Sequence, residues 1–461
     1  MDFKNYLVPG KTGLLIGIGG VSMSPLAEVL HDAGLDIRGS DMAESSNTLA
    51  LRERGIPIHI GHSADNVTDD ISFVIRTAAV HDDNPEVHEA HRRGIPVFER
   101  TQAWGALMRG YPNALCISGT HGKTTTTSMC THIMMAAEKD PTVMIGGTLP
   151  LLHACHRVGK GNTIIMESCE YYNSFLALNP TIAVILNIEA DHLDFFKDIE
   201  DIKHSFRLFA ERVPAETGTV IANCDDANTM DALRGIERKV ITFGLSQKAD
   251  VYAENIVHRG SSSEFDIYHR GNLFSHVTIH VPGIHNVRNA LAATAAAIVL
   301  GVSPNAVKYG LAGFEGAGRR FDYKGKFQGA DLYDDYAHHP SELRALLDAV
   351  DTLDYQRTIV VFQPHTYSRT AKLFNDFVEQ LRRPTIVYLA EIYAAREKNT
   401  IGISSADLAA QIPGAKFYPT FAEIEAELRR IARPGDIILT VGAGDVFRIG
   451  EHLLHPADNK D

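Results

Sequence analysis

Residues 118–127 read SGTHGKTTTT and directly follow an apolar run, ALCI, at residues 114–117. An apolar strand that breaks into a glycine-bounded loop ending in Lys-Thr is typical of a phosphate-binding loop. The glycines let backbone N–H groups turn toward an anion, Lys123 adds a positive charge, and the hydroxyl of Thr124 can hold Mg²⁺. We therefore predict a site for ATP and Mg²⁺ where this strand passes into a helix.

The composition is that of a globular protein. Its 461 residues exceed what one hydrophobic core usually organises, so about two to four domains are expected. No apolar run approaches the roughly 20 residues that span a bilayer, and the first residues lack the apolar core of a signal peptide. Five scattered cysteines indicate reduced thiols, so we expect a cytoplasmic location and no membrane partner. The net charge of -13 argues against nucleic acid as a partner.

The first segment, residues 1–110, opens with a second glycine-rich turn. The turn reads GIGGVSMS at residues 17–24, after an apolar run at residues 12–16 and before a helical pattern. Asp41 follows the next apolar stretch, as in dinucleotide-binding folds. We predict a Rossmann-like domain that holds a nucleotide-type ligand on a helix N-terminus, NAD being one candidate.

Two further α/β segments follow. Residues 111–315 contain short β-branched runs separated by helical stretches, which is typical of a parallel sheet buried on both faces. Residues 316–461 repeat this alternation. The predicted fold class is α/β with three domains: Rossmann-like at both ends, and a central ATPase domain built around the phosphate-binding loop.

Polar side chains follow several of the predicted strands. Glu167 and Glu170 come after one apolar run, and the stretch NIEADHLD at residues 187–194 follows the next. Parallel sheets bind ligands at the carboxyl ends of their strands, and carboxylate oxygens suit Mg²⁺. In the third segment, residues 334–340 and 363–370 form polar clusters, the latter containing Arg369, that suit a carboxylate or phosphate.

Five stretches occur in the order seen in the Mur ligases, the ATP-dependent amide-forming enzymes of peptidoglycan synthesis. The stretches are GTHGKTTTT at residues 119–127, NIEADHLD at 187–194, PGIHN at 282–286, RRF at 319–321 and DYAHHP at 335–340. Together with the turn at residues 17–24, they resemble that family over nearly the whole chain. The resemblance implies ATP and Mg²⁺ as cofactors, and a monomer or a dimer.

The resemblance also implies roles for individual residues of the ATP site. Lys123, Glu167 and His192 would be catalytic, with Lys123 on the terminal phosphates of ATP. Thr124 would hold one Mg²⁺, and Glu167 and His192 a second. The other implied ATP contacts are Gly119, Thr120, His121, Gly122, Thr125, Asn286, Arg320 and Asp335.

The outer segments would bind the two other substrates. Gly19, Gly20 and Ser22 would hold the diphosphate of a UDP-sugar, so that residues 1–110 form the UDP-sugar domain. His339 and Arg369 would hold the incoming amino acid in residues 316–461. Thr366 stands where many family members carry arginine.

The turn at residues 17–24 favours the family member that joins L-alanine to the carboxylate of UDP-N-acetylmuramate through an acyl phosphate, releasing ADP and phosphate. An alternative within the family joins a recycled tripeptide to the same UDP-sugar. Two alternatives come from other classes of protein. An NAD-dependent oxidoreductase would account for the first glycine turn but not for the Lys123 loop. A nucleotide-sensing protein without catalysis would have the same folds but would not carry out the reaction.

Overall fold

The computed structural model describes residues 2–77, 79–395 and 397–455. The start of the predicted first segment, residue 1, and the end of the predicted third segment, residues 456–461, lie outside the described residues. The chain divides into two compact units. One comprises the described residues up to Tyr252 together with Leu291–Gly310, and the other comprises Ala253–Ala290 and the described residues from Leu311 onward. Each is described by itself below. Among the described residues, no helix combines the length and apolar character needed to cross a bilayer.

The first unit begins with a five-stranded, entirely parallel sheet in the order β3-β2-β1-β4-β5. All five residues of its central strand β1 are buried, as expected for a strand covered by helices on both faces. The predicted Rossmann-like α/β arrangement of this segment is confirmed. The elements are β1 (Thr12–Ile16), α1 (Ser24–Asp32), β2 (Asp36–Asp41), α2 (Ser46–Glu53), β3 (Ile58–Ile60), β4 (Ile71–Arg76), α3 (Pro85–Arg92), β5 (Val97–Glu99) and α4 (Arg100–Met108).

A second sheet of the same unit carries the predicted phosphate-binding loop. Its strands run β12-β11-β10-β6-β9-β7-β8, and neighbours are parallel except for β7 and β8. The elements are β6 (Asn113–Ser118), α5 (Lys123–Ala136), β7 (Thr142–Leu149), β8 (Ala154–Arg157), β9 (Thr163–Glu167), β10 (Ile182–Ile185), α6 (Ile199–Glu211), β11 (Thr219–Asn223), α7 (Ala227–Ala232) and β12 (Lys239–Gly244).

The two sheets of this unit share one hydrophobic core. A continuous cluster of buried side chains runs from Phe3 through Trp104 to Leu233. At Gly105 on α4 the approach is so close that a Cβ would lie 2.0 Å from the carbonyl oxygen of Ala177. Only glycine fits there, so α4 packs directly on the chain that follows β9.

The second unit contains an antiparallel hairpin and a six-stranded sheet in the order β16-β17-β21-β18-β19-β20. All neighbours in this sheet are parallel except β16 and β17. The predicted α/β arrangement of the third segment is confirmed. The strands are β13 (Val251–Arg259), which crosses the division between the units, β14 (Ser262–His269), β15 (Asn272–Ile279), β16 (Asp322–Phe327), β17 (Ala330–Asp335), β18 (Arg357–Phe362), β19 (Ile386–Leu389), β20 (Lys416–Phe417) and β21 (Asp436–Val441).

Helices cover both faces of the six-stranded sheet. Along β18, Val360 and Phe362 belong to one core cluster, and Ile359 and Val361 belong to another. This alternation follows from the two-residue period of a strand. The remaining helices are α8 (Ile284–Val299) and α9 (Pro304–Ala312), which both cross the division, and α10 (Pro340–Val350), α11 (Tyr367–Lys372), α12 (Phe374–Leu381), α13 (Ser405–Gln411), α14 (Phe421–Ile431) and α15 (Phe447–Leu454).

Candidate active site

The predicted phosphate-binding loop joins the end of β6 to the start of α5. Gly119 has φ +146°, and a Cβ there would lie 2.9 Å from the Cβ of Leu186, so a side chain is excluded. Gly122 caps α5 in the left-handed conformation that favours glycine. Thr124 and Thr125 are buried in the first turn of the helix. The loop thus ends at a helix N-terminus, where unpaired N–H groups favour an anion.

Asn187, just beyond β10, fixes the shape of this loop. Its Oδ1 accepts a hydrogen bond from the backbone N–H of His121 at 2.8 Å, and its Nδ2 donates to the carbonyl of His121 at 3.1 Å. The N–H of Thr120 donates to the Asn187 carbonyl, and the Thr120 hydroxyl accepts from the N–H of Glu189 at 2.9 Å. The loop is therefore held by a neighbouring strand end.

Lys123 is paired with Glu170. Its Nζ donates to Glu170 Oε2 at 3.0 Å and to the carbonyls of Gly119 and Thr120. The Lys123 side chain is 14 % exposed and that of Glu170 is 3 % exposed. Burial alone would lower the pKa of Lys123, but the effects of Glu170, Cys169 and Glu167 together outweigh it and the pKa is raised. Lys123 is consequently a fixed cation at the mouth of the loop.

Glu167, the last residue of β9, faces Thr124. The Thr124 hydroxyl donates to Glu167 Oε1 at 3.1 Å, and the backbone N–H of Gly146 donates to Oε2 at 2.7 Å. A Cβ on Gly146 would lie 2.4 Å from Oε1, so this carboxylate needs a glycine beside it. The pair offers two hard oxygen donors of the kind that Mg²⁺ prefers.

His192 was predicted to hold a metal ion together with Glu167, but its ring lies beside Glu170. Its Nε2 is 3.7 Å from Glu170 Oε1 and 3.8 Å from Asp191 Oδ2. Its ring stacks on Tyr171 with the centroids 4.3 Å apart, and its backbone has φ +51°. The described contacts place Glu167 on Thr124, and Glu170 between Lys123 and His192.

In the N-terminal sheet, the glycine turn is closed by Asp41. The N–H of Gly19 donates to Asp41 Oδ2 at 2.8 Å, and Asn47 Nδ2 donates to the carbonyl of Gly19 at 2.8 Å. A Cβ on Gly19 would lie 2.8 Å from Thr48 Cγ2. The N–H of Gly20 donates within the turn. Several amides of the predicted diphosphate site thus already have protein acceptors.

Ser22 faces the first turn of α4. Its hydroxyl accepts a hydrogen bond from Arg100 Nη1, and its carbonyl accepts one from Trp104 Nε1 at 3.3 Å. Trp104 is the single tryptophan of the chain and is 2 % exposed. The end of the glycine turn is therefore lined by a cation and an indole.

In the second unit, Asp335 ends β17 and lies beside Arg320. Its carboxylate accepts hydrogen bonds from the N–H of Phe321 at 2.7 Å and of Ala337 at 2.8 Å. Burial raises the pKa of Asp335 to about 6, although the charge of Arg320 and these two N–H groups act in the opposite direction. Arg320 lies 4.0 Å from Glu342 and over the Tyr336 ring, 5.1 Å from its centroid.

Asn286 is buried in the first turn of α8, and its side chain is already hydrogen-bonded. Its Nδ2 donates to the carbonyl of Pro282 at 2.7 Å, and its Oδ1 accepts from Asn289 at 3.1 Å. Within the described residues, no hydrogen bond or ion pair joins Asn286 to Asp335 or Arg320, the two other ATP contacts that the resemblance implies in this unit.

His339 follows β17 and Arg369 follows β18, two strands of the C-terminal sheet that are separated by β21. His339 caps α10, and its Nδ1 lies 2.7 Å from Ser341 Oγ. Arg369 on α11 lies 3.0 Å from His365 Nδ1. His365 in turn packs edge-on against His338, with the ring centroids 5.7 Å apart. Ring contacts thus connect the two loops.

Thr366, the residue before α11, has φ +66°, which is strained for a β-branched side chain. Its N–H donates to the carbonyl of Tyr393 at 3.0 Å. This backbone bond holds the unusual conformation that starts the helix bearing Arg369.

Three family models match consecutive stretches of the chain. The model described as "Mur ligase family, catalytic domain" matches residues 15–112, "Mur ligase middle domain" matches residues 117–297, and "Mur ligase, glutamate ligase domain" matches residues 319–444. The chain belongs to the Mur ligase family. The predicted family and the three-domain α/β fold class are confirmed.

Relatives of this Mur ligase cover nearly its whole length. A UDP-N-acetylmuramate–L-alanine ligase from Agathobacter rectalis is 47% identical over 444 residues, which are 95% of this chain and 96% of that one. The solved UDP-N-acetylmuramate–alanine ligase of Thermotoga maritima is 28% identical, with a TM-score of 0.79 over 96% of this chain and 98% of that one. A murein peptide ligase from Psychrobacter arcticus, at 22% identity and a TM-score of 0.69 over 98% of this chain and 100% of that one, shares the fold.

Some contacts of the Mur ligase site were missed by sequence reasoning. Gly146 was not singled out, although the glycine pair that follows the apolar residues 143–145 was a visible signal. Asn187 was named only as a strand-end residue, because its partners lie across the sheet. Arg100 had no local signal, since only the folded chain brings α4 to the glycine turn.

Proposed function

We propose that this Mur ligase joins L-alanine to the carboxylate of UDP-N-acetylmuramate, with conversion of ATP to ADP and phosphate, in peptidoglycan precursor synthesis. The proposal is carried by the Lys123 loop beside the Thr124–Glu167 pair, at the carboxyl end of a parallel sheet. The choice of substrates is supported by the 47% identity with a UDP-N-acetylmuramate–L-alanine ligase over almost all of both chains. We place the reaction in the cytoplasm, where this nucleotide-linked precursor and ATP are available.

The loop residues suit phosphoryl transfer to a carboxylate. A carboxylate is a poor electrophile, so the proposed reaction first forms an acyl phosphate, which the amine of L-alanine then attacks as phosphate leaves. Lys123 would neutralise the transferred phosphate, and the N-terminus of α5 would add its unpaired N–H groups. Glu170 keeps the Lys123 ammonium oriented toward the loop.

The oxygen donors of the loop fit a divalent cation. Mg²⁺, when bound, neutralises phosphate charge during such a transfer. Thr124 and Glu167 would hold it, because their oxygens lie 3.1 Å apart at the mouth of the loop. His192 is retained as a proposed ligand of a second ion, with Glu170 as its nearby carboxylate.

We assign the other substrates to the outer segments. Residues 1–110 would bind the UDP-sugar at Gly19, Gly20 and Ser22, residues 111–315 would bind ATP, and residues 316–461 would bind the amino acid through His339 and Arg369. Asn286, Arg320 and Asp335 would contact ATP. The hydrogen bond from the Gly19 N–H to the Asp41 carboxylate holds the shape of the glycine turn at the proposed UDP-sugar site.

Phosphate release tests the proposal. The protein is supplied with ATP, Mg²⁺ and UDP-N-acetylmuramate, and L-alanine, glycine, L-serine and a tripeptide are compared as acceptors. We expect release that depends on L-alanine, and a loss of at least about 100-fold in kcat/KM for Lys123→Ala. Lys326→Ala is the control, since the Lys326 side chain is 63 % exposed and pairs with Asp331, a residue without a proposed role in the site. Full activity of Lys123→Ala would contradict the proposal.

The tripeptide-joining alternative is not favoured. The solved murein peptide ligase shares 22% identity with this chain, which supports the fold alone. In the same assay, a strong preference for the tripeptide over L-alanine would replace our choice by this alternative.

A further inference from the structure

Arg100 is a half-buried cation with no acidic partner in the part of the chain that the structure describes. It begins α4, and its described polar contact is the hydroxyl of Ser22 at the end of the glycine turn. Across residues 2–77, 79–395 and 397–455, no carboxylate lies within ion-pair distance of its guanidinium. Arg109, the residue that caps the C-terminus of the same helix, differs in this respect, because it pairs with Asp2 at 2.5 Å.

The electrostatics of Arg100 agree with this description. Burial lowers its pKa, and the opposing effects of Cys169 and Glu99 do not compensate. Arg38 and Arg357, which have carboxylate partners, have raised pKa values instead. A charge held this way is costly unless an anion completes the site.

The glycine turn itself supplies little positive potential. The N–H of Gly19 is occupied by the carboxylate of Asp41, and the N–H groups of Gly17 and Ile18 donate to the carbonyl of Ser40. Asp41 also places a negative charge against the turn. A diphosphate at this turn, with only the N-terminus of α1 to supply positive potential nearby, would therefore gain from a cation on another element.

We propose that Arg100 is the cationic contact for the diphosphate of the UDP-sugar, reaching it from α4 beside Ser22. The inference rests on the proposed function, since the UDP-sugar is assigned to this turn. The planar guanidinium suits phosphate oxygens because it can donate two parallel hydrogen bonds. Its hydrogen bond to Ser22 orients it toward the turn.

The test compares Arg100→Met, Arg100→Lys and the control Arg109→Met. Dissociation constants for UDP, uridine, UDP-N-acetylmuramate and MgATP are measured by calorimetry, and the fluorescence of Trp104, which bonds the Ser22 carbonyl, reports on the turn directly. We expect Arg100→Met to weaken UDP and UDP-N-acetylmuramate at least about tenfold and to leave uridine and MgATP unchanged. Arg100→Lys should weaken the binding of UDP and UDP-N-acetylmuramate about threefold, because lysine keeps the positive charge but cannot donate two parallel hydrogen bonds from one planar group.

Stability provides a second readout. Removing an uncompensated half-buried charge should leave the unfolding temperature of Arg100→Met equal to or above that of the parent. A lower unfolding temperature together with weakened MgATP binding would show a structural role and overturn the inference. Unchanged UDP binding in Arg100→Met would overturn it as well.

Two further outcomes separate this inference from the proposed function. If UDP-N-acetylmuramate weakens but UDP does not, Arg100 recognises the sugar carboxylate, and the inference falls while the proposed function stands. If the parent protein binds neither UDP nor UDP-N-acetylmuramate, the substrate assignment fails and the inference fails with it.

Discussion

Lys123 Nζ lies 3.0 Å from Glu170 Oε2, and both side chains are largely buried. The lysine of the phosphate-binding loop is thereby neutralised by a carboxylate of its own unit. A phosphate group that binds Lys123 has to share or displace that carboxylate. This competition gives Glu170 an influence on ATP affinity that its position in the sequence does not reveal.

Replacing Glu170 by glutamine should destabilise the protein, because the Lys123 charge would lose its partner in a nearly buried position. We expect the free energy of unfolding to fall by about 3 kcal/mol in urea titrations without nucleotide. The control Glu200→Gln removes an exposed carboxylate from Lys203, which keeps its pair with Asp231, and should cost about 0.5 kcal/mol or less. Equal losses for the two variants would contradict this account.

Replacing Gly146 by alanine should disturb the proposed metal site without touching a ligand. The new Cβ would lie 2.4 Å from Glu167 Oε1 and push the carboxylate away from Thr124. We expect the Mg²⁺ concentration for half-maximal phosphate release to rise about tenfold or more. Gly110→Ala, whose Cβ would lie 3.3 Å from its nearest neighbour, should behave like the parent. An unchanged Mg²⁺ dependence would place the metal elsewhere.

Replacing Asn187 by alanine should loosen the phosphate-binding loop, since both hydrogen bonds to His121 are lost. We expect the KM for ATP to rise about tenfold with a smaller effect on the KM for L-alanine. Steady-state kinetics with each substrate varied in turn would measure this. Asn228→Ala is the control, because Asn228 bonds the Ile188 carbonyl beside the loop. Similar effects of both variants would argue for a general loss of packing.

Asp335 should make stability depend on pH. Its pKa is raised to about 6 in the folded protein, so the folded chain keeps a proton that the unfolded chain releases near pH 4. The free energy of unfolding should therefore fall by roughly 3 kcal/mol as the pH rises from about 4 to about 6. Urea titrations across this range should show the fall in the parent and not in Asp335→Asn.

Asp436 provides a contrast of opposite sign. Burial alone would raise its pKa, but the ion pair with Arg357 at 2.6 Å lowers it. Its stabilising contribution is present above the pKa of the unfolded chain and is lost as the pH falls. Asp436→Asn should accordingly lose stability at neutral pH and keep the fall that we assign to Asp335. If it abolished that fall, our assignment would be wrong.

The sequence was sufficient to predict the α/β class, the phosphate-binding loop and most of the strands. These features follow from short-range patterns: apolar runs of strand length, and glycines at the strand-to-helix turns. The strand-end position of Glu167 was predictable for the same reason, because it directly follows an apolar run.

The pairing of side chains was not predictable in the same way. The sequence suggested Glu167 with His192, whereas the described contacts join Glu170 to both His192 and Lys123. Asp41 was named only as the acidic residue that follows the glycine turn in dinucleotide-binding folds, and in the structure it accepts the N–H of Gly19. These partners are distant in sequence, and only packing decides which of several nearby polar groups meet. The roles predicted for the site residues remain predictions.

The close contact between Gly105 and Ala177 joins the N-terminal sheet to the central sheet, so the N-terminal part of the first unit should not fold by itself. With the N-terminal and central sheets sharing one core, residues 1–110 expressed alone would expose the apolar side of α4 that normally faces the chain after β9. Such a fragment should aggregate instead of folding. In calorimetry of the whole chain, the two sheets should melt in a single transition. The proposed UDP-sugar and ATP sites would then be lost together on heating, although separate family models match the two segments that carry them.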